Sequence, residues 1–162
     1  MKNREYIRPC HRIAVIVSFI ILLVSLILAI VLAATTKGEI PTHFDFFGEI
    51  DSYGSPWTAV LLPAIMLLTN LGSLAIITFV PISSWNMPAK ITDANRPFVF
   101  NDAVWTIVIT MLTMSLLALT GTICMFFAHG AFGIALTAVL AVGIGAMAVF
   151  LIKSVIDSKR YV

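Results

Sequence analysis

Charge is scarce in this chain. Of its 162 residues only 11% are Asp, Glu, Lys or Arg, while 60% are hydrophobic, and the mean hydropathy is +1.03. A soluble domain of this size cannot cover its outside with so few polar groups, so that class is excluded. Cysteine is scarcer still. Cys10 and Cys124 cannot form a disulfide framework, and about 20 helical residues at 1.5 Å each would hold them roughly 30 Å apart. Also missing are a His-Glu-x-x-His run, paired cysteines, a nucleophile elbow and a phosphate-cradling loop. The basic residues are scattered and motif-free, which excludes a nucleic-acid partner.

What remains is long apolar stretches. A hydrocarbon core of roughly 30 Å takes about 20 helical residues. Four runs meet that length, near residues 13–34, 57–80, 104–128 and 132–152. The expectation is an all-α integral membrane protein, one membrane domain over 1–162 with four transmembrane helices, whose partner is the lipid bilayer. The first run exceeds the roughly 7–15 apolar residues of a signal peptide and is expected to be retained. Lys2, Arg4, Arg8, Arg12, Lys90, Arg96, Lys153, Lys159 and Arg160 fall on one side, and Lys37 alone on the other. The positive-inside rule then places both termini in the cytoplasm and the 35–56 loop outside.

Polar side chains inside the spans are few. No Lys, Arg, Asp or Glu lies deep in any of the four runs, which weighs against a pump built on a buried charge. Asn70, near mid-depth of the second run, is expected to bond a neighbouring helix, with a place on a transport path as the alternative. Ser18 and Ser25 mark one face of the first run. Pro63 is expected to bend the second or to leave a carbonyl free near the outer leaflet. Thr106, Thr110, Thr113 and Thr120 form a stripe on the third, read as a packing seam. Gly133, Thr137, Ala141 and Gly145 form a small-residue ridge on the fourth, suited to close packing within the bundle or to a homo-oligomer.

The stretch Ile40-Pro41-Thr42-His43-Phe44-Asp45-Phe46-Phe47-Gly48-Glu49-Ile50-Asp51-Ser52-Tyr53-Gly54-Ser55-Pro56 differs from everything around it. With Glu39 it holds four of the eight acidic residues and one of the three histidines. Its glycines and prolines call for defined turns, so a structured extracellular loop is expected. In one reading it is a cap with Phe44, Phe46 and Phe47 dipping into the interface, able to meet an extracellular peptide or a membrane-protein partner. In a second, His43, Asp45, Glu49 and Asp51, joined by His129, bind a divalent metal. In a third, weaker one, His43 acts as a base beside those carboxylates; more of the signs point away from an enzyme than toward one. His11, on the other side, is expected to be solvated beside Arg12. The inner loop, 81–103, is long for a connector and holds three prolines, which excludes one continuous helix.

Two motifs then stand out together. Ile40, Pro41, His43, Phe44, Gly48, Glu49, Asp51, Gly54 and Ser55 form Ile-Pro-x-His-Phe followed by Gly-Glu-x-Asp-x-x-Gly-Ser, and Asn86, Pro88, Lys90, Ile91 and Thr92 form Asn-x-Pro-x-Lys-Ile-Thr. Over roughly residues 13–95 the chain resembles the bacterial membrane family numbered 1648 among the domains of unknown function. That domain also occurs in SdpI-type immunity proteins. The chain departs from the family pattern at Pro56, where Lys is common, and after Thr92, where Arg and Glu are common. The resemblance implies a bacterial plasma-membrane location, immunity to a membrane-active peptide or signalling, and no catalytic residues.

Overall fold

The computed structural model describes residues 3, 5–45, 47–87, 90–127 and 129–160. It is mostly helical, with α1 over Pro9–Thr35, α2 over Leu61–Phe79, α3 over Arg96–Phe127 and α4 over Phe132–Arg160. All four are long and apolar enough to cross a membrane. Between α1 and α2 stands an antiparallel hairpin, β1 (Ile40–Phe44) and β2 (Ile50–Gly54), followed by a 3-10 turn at Pro56–Val60. Shorter 3-10 turns occupy Ile82–Ser84 and His129–Ala131.

The bundle is built around α3, which touches each of the other three helices. Within their apolar windows 44% of α3 is buried but only 6% of α4, so α4 lies at the edge. In α1 the buried residues are His11, Ser18, Leu22, Ser25, Ala29 and Ala33. They lie three, four or seven residues apart and so share one face. Apart from Leu22, that face is made of small and polar residues. In a bilayer Ile and Leu gain nothing by leaving lipid, whereas small side chains let backbones approach. Ser25 meets Thr122 of α3 at 3.2 Å, while Ile13, Ile16, Ile20, Leu23 and Ile27 point away from the protein.

Three helix starts differ from expectation. α1 begins at Pro9, which needs no N–H at a helix's first position. α3 begins at Arg96, eight residues before 104, because Asn95 and Thr92 cap it. The Asn95 Oδ1 accepts from the Thr92 amide at 2.8 Å, and the Asn95 carbonyl accepts from the amides of Phe98 and Val99. Pro97 then falls in the first turn, where it breaks no bond. The 3-10 turn before α2 leaves Pro63 only two residues inside that helix, too near its start to break an interior bond. At its far end α4 runs on to Arg160 and not to 152, since polar residues there find partners on other helices.

Before α1, Asn3, Tyr6 and Ile7 are built into the fold. Asn3 is buried, and its Nδ2 donates to the carbonyls of Ile77 and Val80, both at 2.8 Å, while its Oδ1 accepts from the Ile82 amide. It thereby satisfies carbonyls that the end of α2 leaves without helical partners. Tyr6 packs edge-on against Phe100, and Ile7 joins Ile77, Ile82, Val99, Phe100, Val104, Val108 and Met111 in the main core. Burial, with Glu5 accepting from its hydroxyl, pushes the Tyr6 phenol above its ordinary range. His11 is also buried, contrary to the solvated position expected. Its Nδ1 accepts from the Arg8 amide at 3.0 Å and its ring packs edge-on to Trp105.

Candidate functional site

The hairpin turn is made by Asp45 and Gly48. The Asp45 Oδ1 accepts from the amides of Phe47 and Glu49, both at 2.8 Å, and the Gly48 amide donates to the Asp45 carbonyl at 3.0 Å. Gly48 has φ +86°, a left-handed conformation that glycine adopts without steric cost. It also lies backbone to backbone on the start of α4. A Cβ on Gly48 would come within 2.9 Å of the Gly133 nitrogen. So the tip is pinned to the start of α4, and Gly48 and Asp45 are explained by local construction. Gly54 leaves room for the Thr42 side chain across the ladder. Ser55 caps the following 3-10 turn by accepting from the Trp57 amide.

With the turn fixed, His43 and Asp51 meet. The His43 Nδ1 stands 2.6 Å from the Asp51 Oδ1, with the side chains 66% and 49% exposed. A carboxylate oxygen accepts, so the His43 Nδ1 donates in this contact. A pair this exposed contributes at most about 1 kcal/mol to folding. Phe47, Tyr53 and Trp57 are exposed as well. Phe44 differs from the expected interfacial anchor: it is buried in the protein with Ile40, where β1 meets α3. Phe46 lies outside the described residues.

The expected metal set does not assemble among the described residues, where no three His, Cys, Asp or Glu side chains come together. His43 and Asp51 do pair. Asp45 spends its Oδ1 on the turn amides, and Glu49 contributes its backbone. The His129 side chain lies outside what is described.

At the opposite end the second motif is structural as far as it is described. Asn86 and Lys90 are exposed, and Pro88 lies outside the described residues. The Lys90 carbonyl accepts from the Asn95 Nδ2 at 3.0 Å, and the same nitrogen donates to the Ser158 carbonyl at 3.1 Å. Thr92 and Asn95 thus tie the inner loop to α3 and α4. Inside the bundle, the Asn70 Nδ2 donates to the Met111 carbonyl and the Ser115 hydroxyl, joining α2 to α3. Thr106, Thr110 and Thr113 donate to carbonyls one turn back, as a packing seam does, and Thr113 fills the space left by Gly143. On α4, Thr137, Ala141 and Gly145 face away from the protein, while Gly133 seats the hairpin.

One cluster went unread in the sequence. Asp102 of α3, fully buried, accepts from the Lys153 Nζ of α4 with both oxygens at 3.0 and 2.9 Å. The same Nζ donates to the Asp157 Oδ2 at 2.8 Å. Lys153 and Asp157 are four apart on one helix, a spacing that signals an ion pair. Taking both as tail residues hid it, as taking Asp102 for loop hid its partner.

The fold and its exposed polar hairpin define a multi-pass helical membrane protein with a β-hairpin cap. Residues 20–67 match the family model described as Domain of unknown function (DUF1648), so the chain carries that domain. The matched segment takes in most of α1, the whole hairpin and the start of α2, and stops short of the Asn86–Thr92 motif. No curated protein and no solved structure matches the chain.

Proposed function

We propose that the hairpin is a recognition cap on the outer face of a bacterial plasma membrane, and that it meets an external peptide or an extracellular segment of another membrane protein. In this reading the chain is an SdpI-like protein of immunity or signalling, both termini are cytoplasmic, and the inner loop carries the event inward. The observation that supports it most is the exposed His43–Asp51 pair, held on a turn pinned at Gly133. Its small stabilising worth does not account for such a built support, whereas an exposed imidazole on a segment that also exposes Phe47, Tyr53 and Trp57 suits peptide contact. The distribution of Lys and Arg supports the orientation.

Complementation of a deletion strain tests the reading. His43→Ala and Asp51→Ala are expected to reach wild-type levels in the membrane yet fail to restore the deletion phenotype. Full complementation by both variants would leave the hairpin as a structural cap only.

A further inference from the structure

Near the end of the bundle that holds the chain termini, α1 and α2 leave a groove between them with α3 as its floor. Its volume is about 450 Å³, within the range of about 300–1,000 Å³ of ligand pockets. Val15 and Ile16 of α1, Leu74 and Ile77 of α2, and Val104 and Val108 of α3 make it apolar. Water gains nothing in such a space at membrane depth, and the adjoining lipid is what can fill it.

The groove is not uniformly greasy. Arg12 lines it within the first turns of α1, and Arg8 lies one turn away toward the surface. Both are exposed, and among the described residues no carboxylate forms an ion pair with either. His11 also lines the groove; with Nδ1 taken by the Arg8 amide, its buried Nε2 has no hydrogen-bond partner among the described residues. Apolar walls topped by two exposed guanidiniums complement an amphiphile with a negative head.

We propose that this groove is a site for one anionic phospholipid of the adjoining leaflet, an acyl chain lying along Val15, Leu74 and Val108 with the phosphate against Arg12 and Arg8. The site is independent of the hairpin and of what the hairpin binds.

Native mass spectrometry of the full-length protein tests this. The protein, purified in mild detergent and stripped of lipid, is offered equal amounts of phosphatidylglycerol and phosphatidylcholine with identical chains. The expected result is one retained phosphatidylglycerol, favoured roughly fivefold over phosphatidylcholine, the scale of one basic residue near a membrane surface. Arg8→Gln combined with Arg12→Gln should bring that ratio close to one. Leu74→Trp, which fills the groove, should lower retention of both lipids; should it not fold, Val15→Phe is read in its place. Equal retention of both lipids by the wild type, a preference that survives the double replacement, or retention unaffected by the filled groove overturns the proposal.

Discussion

The two ends of the molecule treat polar side chains in opposite ways. At the hairpin end, His43, Glu49, Asp51, Ser52 and Tyr53 are exposed, and what is buried is apolar side chain, as at Ile40 and Phe44, or backbone, as where Gly48 meets Gly133. At the other end, Asn3, Asn95 and Asp102 are buried and bonded, each joining segments far apart in sequence. Buried polar groups with satisfied partners fix one arrangement of helices. Exposed ones on a rigid support are free to meet something else. The difference gives one end the architecture and leaves the other with polar groups that the fold does not use.

The sharpest way to break this contrast is at the ion cluster. Lys153→Met leaves Asp102 buried without its cation and should destabilise the protein by about 3–5 kcal/mol. Unfolding in graded denaturant in detergent would show it, and a loss under 1 kcal/mol would mean that end is not the structural one. Next comes Gly48→Val, where a branched side chain is forced to positive φ against the α4 backbone. The expected cost is about 1–3 kcal/mol, with faster proteolysis within 40–54 as the local sign. Asn70→Leu should cost about 0.6–2 kcal/mol, the scale of an interhelical hydrogen bond, by the same unfolding measurement. His43→Ala should have the smallest effect on stability, under about 1 kcal/mol, while failing in complementation. If it unfolds the protein as Lys153→Met does, the hairpin belongs with the architecture.

Much of this was legible in the sequence. Four long apolar runs surrounded one polar stretch, and Asn70, Ser18 and Ser25 marked faces that proved buried. In lipid, polarity inside a helix is the packing signal, and it was read as such. The hairpin end was harder, because spacing alone made His43 and Asp45 neighbours if the strand were regular. Irregularities in the ladder around His43 and the capture of Asp45 by its own turn give His43 to Asp51. The termini end was least legible. Hydropathy locates the membrane-spanning part of a helix and says nothing of polar turns beyond it, so Asp102 and Asp157 were placed outside the helices they belong to. Asn3 and Asn95 gave no local sign, since their partners lie on other segments.

The contact of Gly48 with Gly133 also bears on biosynthesis. The domain match ends at residue 67, yet the surface on which its hairpin rests is not made until α4 has left the ribosome. Asn95 likewise waits for Ser158. A nascent chain stalled after α3 would have every residue of the hairpin but not the α4 backbone on which its tip rests. The cap is made early in synthesis and is among the last parts to be finished.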